Sequence, residues 1–296
     1  MQKSIIEWPT IGLAAFIYGG WAVLTFFHAH LPIGLVALLG AWLIAWHSSL
    51  QHELLHGHPT AWPRVNHAIG LVPLSLWLPY DVYRRSHLAH HRAETLTDPS
   101  NDPESYYWRE EEWGSLGPLG RCLVRWQTTL AGRLTLGPAW SAGRLFAREL
   151  AHARKNPRDA LAVWGAHLFG CAAALIWIVG VCEMSPWFYL FGIVYPGTSL
   201  SLIRSFGEHR AAGAVSERTA IVENARILGP LFLFNNLHVV HHERPDLPWY
   251  RIPGWYRKHR EELIAKNGGR VYDGYSEIAR RFLFKPHDAP VHPFLS

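Results

Sequence analysis

The stretch ALAVWGAHLFGCAAALIWIVGVC, residues 160–182, contains no charged side chain. An α-helix needs about 20 residues to cross a lipid bilayer, and this stretch is longer than that. The composition of the whole chain agrees with a membrane location. Of its 296 residues, 49% are hydrophobic and 17% are charged, whereas soluble domains contain about 25% charged residues. The sequence therefore predicts an integral membrane protein.

Three further apolar runs, at 11–27, 33–50 and 186–203, are long enough to span a membrane. Short links at 28–32 and 183–185 join the four runs into two helical hairpins. All 28 Lys and Arg residues lie outside these two tips, and positive charge accumulates on the cytoplasmic side of membrane proteins. We therefore expect the amino terminus and residues 51–159 and 204–296 to be cytoplasmic. The predicted fold is all-α: four transmembrane helices with a helical cytoplasmic cap, in one domain over residues 1–296.

Histidines form three clusters in the predicted cytoplasmic layer. The motifs are HELLH at 52–56, HLAHH at 87–91 and HVVHH at 238–242. Their spacings of three and four residues place the imidazoles of each motif on one face of a helix. His209, in FGEHR, follows the fourth predicted span at the same depth. These histidines are candidate metal ligands: His52, His56, His87, His90, His91, His209, His238, His241 and His242.

Nine imidazoles exceed what one ion needs, since a single zinc site takes four ligands, or three from the protein if it is catalytic. They suit two metal ions with four or five ligands each, and nitrogen-rich sites accept iron, zinc, copper or nickel. Nearby carboxylates are expected to orient the imidazoles; the candidates are Glu53, Glu94, Glu208 and Glu243. The remaining histidines are expected to play no part in metal binding. Among them, four are predicted to lie on the surface: His152, His259, His287 and His292.

The three motifs, in this order between two hairpins, resemble those of the membrane fatty acid desaturase superfamily, which includes hydroxylases, alkane hydroxylases and carotenoid ketolases. The resemblance covers about residues 33–255, with the histidine of GEHR and the continuation HHERPDLPWYRIP. It implies a non-haem di-iron centre that activates dioxygen, with the nine histidines as ligands. It also implies Asn235, one helical turn before His238, as a ligand that acts through water.

The activity implied by the resemblance is desaturation of an alkyl or acyl chain in a lipid-like substrate. The motif spacings favour desaturation, while hydroxylation or ketolation by the same di-iron site stays open. Two electrons would come from an external donor such as ferredoxin with its reductase, because no haem or flavin motif is present in the sequence. The basic segment 244–285 would dock an acidic ferredoxin or lie on lipid. The expected location is a bacterial inner membrane, and no nucleic acid is expected as a partner.

Two other classes of function are alternatives to an oxidase. A divalent metal transporter needs polar ligands near the middle of its spans, whereas these spans are nearly free of ionisable groups. A membrane sensor with a structural metal site would need fewer ligands than nine. The sequence therefore favours oxidase chemistry over both.

Overall fold

The computed structural model describes residues 6–91 and 94–294. Residues 1–5, 92–93 and 295–296, which belong to predicted cytoplasmic segments, lie outside the described part. The described chain is mostly helical, as the all-α prediction requires. Its α-helices are α1 Trp8–Phe26, α2 Ile33–Leu55, α3 Pro63–Gly70, α4 Tyr80–His91, α5 Glu110–Ser115, α6 Pro118–Gln127, α7 Leu130–Thr135, α8 Gly137–Lys155, α9 Pro157–Leu175, α10 Pro186–Phe188, α11 Tyr195–Glu208, α12 Leu228–Leu231, α13 His238–Glu243, α14 Ile252–Lys266 and α15 Tyr275–Phe282.

Two short strands and several tighter or wider helical turns complete the described elements. The strands are β1 Ile221–Val222 and β2 Val271–Tyr272, which pair in parallel. The turns are 3₁₀ at His28–His30, Val215–Arg218 and Trp249–Arg251, and π-helical at Ile176–Val181 and Tyr189–Val194.

Within the described residues, three helices are long and apolar enough to cross a membrane. They are α1, α2 and α9 with its π-helical extension, Pro157–Val181. These match three of the four predicted spans. The fourth predicted span is helical too, but it is divided into α10, a π-helical turn and α11, none of which reaches the length of a span by itself. The four-helix topology and the cytoplasmic cap therefore stay predictions.

The chain divides into two compact units. Unit 1 comprises Met1–Arg84 and Pro138–Ser201, and unit 2 comprises Arg85–Gly137 and Leu202–Ser296. Unit 1 contains the three long apolar helices and the first histidine motif. Unit 2 contains the second and third motifs and His209.

Helix α2 packs closely in unit 1 because glycines remove side-chain bulk at its contacts. A Cβ atom on Gly197 of α11 would lie 2.6 Å from Cβ of Ile44 and 2.8 Å from the carbonyl oxygen of Ala41. A Cβ atom on Gly40 would lie 2.8 Å from the Ile193 side chain. Small residues at such contacts let helices approach closely inside a membrane. This packing holds the helix that ends in the first histidine motif.

The core of unit 2 fixes the helix of the third histidine motif. Val239 and Val240 of α13 are buried together with Ile221 of β1 and with Ile252 and Tyr256 of α14. In addition, Val222 donates its backbone N–H to Asn236, just before α13, and accepts a hydrogen bond from the Asn236 side chain. Apolar burial and the two hydrogen bonds between Asn236 and Val222 thus anchor α13.

Candidate metal centre

The second and third motifs lie on helices, as their spacing predicts. His87, His90 and His91 occupy the last two turns of α4, and the ring centroids of His87 and His91 lie 4.6 Å apart. In HVVHH, the two valines enter the core of unit 2 while the histidine rings gather elsewhere, since the His238 and His242 centroids lie 4.7 Å apart. On this short helix, the valines therefore pack into the core of unit 2, and the histidine rings lie together outside that core.

Four histidines of unit 2 bring one ring nitrogen each into a common space. They are His90, His209, His238 and His242, and their ligand atoms all lie within 4.8 Å of one another. Nε2 of His209 lies 3.1 Å from Nε2 of His90 and 2.8 Å from Nε2 of His238. Nε2 of His242 lies 3.1 Å from Nε2 of His238. We call these four residues the four-histidine group.

These separations fit ligands that share one metal ion. An ion bound by two imidazole nitrogens at about 2.0–2.1 Å places those nitrogens about 2.9 Å apart at a right angle and about 3.4 Å apart at the tetrahedral angle. The three measured separations, 2.8 to 3.1 Å, lie close to the right-angle value. An all-imidazole donor set is suited to iron, zinc, copper or nickel.

The other histidines of the two motifs lie beside this group. Nε2 of His91 lies 2.8 Å from Nε2 of His241, and the His91 ring is stacked on the His242 ring at 4.4 Å. The His87 ring lies 5.9 Å from the His241 ring. Unit 2 therefore brings its seven candidate histidines close together, and their role as ligands stays a prediction.

The first motif belongs to unit 1. His52 lies in the last turn of α2, and His56 is the residue that follows this helix. Their ring centroids lie 5.1 Å apart, as two residues four positions apart on a helix should be. The predicted continuation of the second apolar run beyond residue 50 is thus present.

Carboxylates fix the orientation of two histidines of α4. Asp102 Oδ1 lies 2.8 Å from Nδ1 of His90, and Glu104 Oε1 lies 3.0 Å from Nδ1 of His87. A carboxylate only accepts hydrogen bonds when ionised, so each Nδ1 carries a proton, and in the neutral ring each Nε2 keeps its lone pair. This is the tautomer that a metal ligand needs.

His209 and His238 have acceptors at the same ring position. Nδ1 of His209 lies 3.3 Å from the carbonyl oxygen of Arg218. Nδ1 of His238 lies 3.3 Å from Oδ1 of Asn235 and 3.4 Å from Glu208. The amide nitrogen of Asn235 in turn donates to Glu208 at 3.0 Å. Three members of the four-histidine group thus have Nδ1 facing an acceptor and Nε2 facing the group.

Burial keeps most of these imidazoles neutral. It lowers the pKa of His209 and of His91 to about 3, and neighbouring histidines add to both effects. Burial also lowers the pKa of His238 and His242 well below the usual range. His90 differs: burial lowers its pKa, but the hydrogen bond to Asp102 and nearby carboxylates outweigh burial and raise it. Neutral imidazole is the form that binds a metal.

The carboxylates beside the histidines were only partly predicted. Glu208 lies where we expected, and burial raises its pKa to about 7 although Arg204 opposes this. Glu243 instead forms an ion pair with Lys266. Asp102 and Glu104 were missed, because they lie in a loop and no helical spacing relates them to HLAHH. The signal in the sequence is the acidic stretch TDPSNDPES that follows the motif.

Two histidines that we predicted to lie on the surface are buried. Side chains of His287 and His292 are 4% and 2% exposed. His287 packs between the rings of Phe206 and Phe282, and His292 contacts Thr97. Both predictions were wrong because long-range contacts, which leave no local pattern, cover these residues.

Comparison with known proteins agrees with the site geometry. The sequence profile of the family described as "Fatty acid desaturase" matches residues 28–274, which include all three histidine motifs and His209. Among curated proteins, none matches this chain significantly. The family match covers most of the sequence, so the chain belongs to the fatty acid desaturase family.

Proposed function

We propose that this protein is a membrane-bound non-haem di-iron oxidoreductase that uses dioxygen and two external electrons to desaturate an alkyl or acyl chain. Its family indicates an oxidoreductase that acts on lipid or acyl substrates, and the three apolar helices indicate a membrane protein. The observation that carries the proposal is the four-histidine group, in which Nε2 atoms converge while Nδ1 of His90, His209 and His238 faces an acceptor.

Nine histidines are the proposed ligands of two iron ions. One ion would be held by the four-histidine group. The other five of the nine histidines are the proposed ligands of the second ion: His52, His56, His87, His91 and His241. The convergent donors of unit 2 and the number of imidazoles support this assignment. Asn235 is proposed to contribute through water, and its contacts with His238 and Glu208 place an amide beside the group.

When bound, the iron pair would supply, from dioxygen and two electrons, an oxidant strong enough to remove hydrogen from unactivated C–H bonds. The protein's own residues would have three tasks. Asp102 and Glu104 hold the Nδ1 protons of His90 and His87, so that neither ring can turn its lone pair away. Buried imidazoles such as those of His90 and His238, 1% exposed each, keep bulk water from the centre. The remaining task is to present one carbon–carbon bond of the substrate to the centre.

Three further parts of the proposal rest on the sequence. The active site is proposed to face the cytoplasm, because Lys and Arg avoid the two hairpin tips. Electrons are proposed to come from ferredoxin with its reductase. The substrate is proposed to be an acyl or alkyl chain of a lipid, a carrier-bound acyl group or a smaller amphiphile.

Metal content and product analysis test the proposal together. The detergent-purified protein from iron-replete cells is expected to contain about two irons per chain, as nine imidazoles would require. With a ferredoxin, its reductase and a lipid substrate, oxygen uptake should accompany the loss of two hydrogens from the chain, measured by mass spectrometry. A gain of one oxygen atom instead would assign a hydroxylase. If the iron-reconstituted protein takes up no oxygen and carries zinc across vesicle membranes, the oxidase hypothesis is wrong and a transporter is favoured.

His238→Ala and His30→Ala make a matched pair for this test. His238 belongs to the four-histidine group and is buried, whereas His30 lies exposed in the turn His28–His30 of unit 1. We expect the first variant to lose iron and oxygen uptake and the second to keep both. Equal behaviour of the two variants would remove His238 from the ligand set.

A further inference from the structure

The segment 287–292, in which His287 and His292 are buried, contacts the loop that carries Asp102, although the sequence does not connect it with metal binding. The backbone N–H of Trp108 donates to the carbonyl oxygen of Pro290 at 2.9 Å, and the hydroxyl of Tyr107 donates to Asp288. Nε2 of His292 lies 3.0 Å from Oγ1 of Thr97. The loop is therefore attached to the segment at several points along its length.

The direction of the bond between His292 and Thr97 follows from the other ring nitrogen. The backbone N–H of Phe294 donates to Nδ1 of His292 at 3.2 Å. Nδ1 is thus an acceptor, so the proton of the neutral ring is on Nε2. The imidazole N–H of His292 therefore donates to the hydroxyl oxygen of Thr97.

Thr97 has a backbone conformation that needs support from its surroundings. Its φ is +72°, in the left-handed region that is unfavourable for a β-branched residue. Each polar group of Thr97 has a partner: the N–H donates to Asp102 Oδ2 at 2.8 Å, the carbonyl oxygen accepts from Ser105, and the hydroxyl contacts His292. The hydroxyl contact is the one that comes from a distant part of the chain.

Asp102 transmits this arrangement to the four-histidine group. Its Oδ2 accepts from the backbone of Thr97, while its Oδ1 accepts from Nδ1 of His90 and from the backbone N–H of Glu104. If Thr97 relaxes to a more favourable φ, its N–H turns away and Asp102 loses one of its anchoring donors. The ring of His90 would then lose its fixed orientation.

We propose that His292 is a positioning residue for the metal ligand His90, and that it acts through Thr97 and Asp102. The proposal rests on the proposed metal site, because it assigns a role toward the ion that His90 would hold. Three consecutive hydrogen bonds, each of 2.8 to 3.0 Å, connect the two imidazoles. Partners that orient a ligand in this way tune the affinity of a metal site.

A double-mutant cycle on the iron-loaded, detergent-purified protein tests the connection. His292→Phe keeps a ring but removes its N–H, and Thr97→Val keeps the shape and removes the hydroxyl. The measured quantity is the rate at which iron is released to an excess of a ferrous chelator. We expect each single variant to release iron about three to ten times faster, less than the 10–100-fold effect expected for Asp102→Asn. The double variant should match the singles, because both changes remove the same bond.

Two further variants separate positioning from a general loss of structure. His292→Gln, whose amide N–H reaches the same position, should restore the slow release. Tyr107→Phe removes the bond to Asp288, a different attachment between the same two segments, together with the bond that the Tyr107 hydroxyl accepts from the backbone N–H of Ala211, and it should leave the release rate unchanged. Accelerated release in Tyr107→Phe equal to that in His292→Phe, or additive effects in the double variant, would overturn the proposal.

His90→Ala distinguishes failure of this proposal from failure of the metal site. If His90→Ala loses iron while His292→Phe releases it at the wild-type rate, the positioning role is wrong and the site stands. If His90→Ala retains all its iron, the ligand assignment itself is wrong, and the positioning role is excluded with it.

Discussion

Nε2 of His209 lies 2.8 Å from Nε2 of His238, although 29 positions separate the two residues in the sequence. His209 therefore joins the third motif from outside all three motifs. We predict that His209→Ala lowers the bound metal by about one ion per chain, because three imidazoles no longer complete a four-ligand site. Elemental analysis of the purified variant measures this. Unchanged metal content would show that His209 lies beside the ion without binding it.

Asn235 and Asn236 are neighbours with different partners, which makes them a matched pair. Asn235 contacts His238 and Glu208, whereas Asn236 bonds to the backbone of Val222. We predict that Asn235→Ala weakens metal binding about tenfold and that Asn236→Ala leaves it unchanged but lowers the free energy of unfolding by about 1 kcal/mol. Metal titration of the apoprotein and thermal unfolding measure the two effects. The opposite pattern would move the water-mediated role to Asn236.

Close packing against α2 predicts intolerance of side chains at Gly197. A methyl group there would meet Ile44 and the backbone of Ala41 at 2.6 to 2.8 Å. We predict that Gly197→Ala destabilises the protein by about 1–3 kcal/mol through overpacking. Gly34→Ala is the control, since a Cβ atom at Gly34 of α2 has no described neighbour within 4 Å. Thermal unfolding in detergent compares the two, and equal midpoints would mean that α11 is free to move away from α2.

The buried imidazole of His287 predicts acid sensitivity that is separate from metal binding. Burial lowers its pKa to about 3, Arg210, Arg133 and Arg270 add to this, and Asp288 opposes it. Because the folded pKa lies below the unfolded value of about 6.5, the stabilisation is complete above pH 6.5 and is lost as the pH falls toward 3.

The comparison for this prediction is His287→Gln in the metal-free protein. Glutamine retains a partner for Tyr272, which lies 3.0 Å from Nε2 of His287, and does not titrate. The wild type should lose up to about 1.4 kcal/mol more per pH unit than the variant over this range. Unfolding midpoints measured at successive pH values provide the test. If the midpoints of the wild type and the variant fall in parallel, His287 takes up its proton in the folded protein over this pH range and the prediction is wrong.

Periodic patterns made most of the site predictable. In HLAHH and HVVHH, spacings of three and four residues are characteristic of one helical face, and both motifs are helical. The same spacing placed His52 and His56 side by side at the end of α2. His209 was predicted from its depth after the fourth apolar run, and it does join the third motif. Such a spacing can be recognised in a single sequence because it depends only on residues that are close together in the chain.

Contacts between distant segments were not predictable from such patterns. Asp102 orients His90 from a loop, and His292 contacts Thr97 from 195 positions away. No regular spacing in the sequence relates the residues of either contact. The acidic loop was therefore not predicted, and His292 was predicted to lie on the surface. The π-helical turn at Tyr189–Val194 likewise interrupts a run that contains no charged residue in the sequence. Burial of polar residues is decided by packing across the whole chain, and local composition does not encode it.

Asp102 and Glu104 lie beside His90 and His87, and Glu208 lies beside His238. These carboxylates make the surroundings of the imidazoles attractive to any divalent cation. Copper, nickel and zinc bind nitrogen donors more tightly than ferrous iron does. The metal that the protein binds should therefore depend on which metals are available in the cell during synthesis. Protein prepared from cells grown in zinc-rich medium should contain zinc.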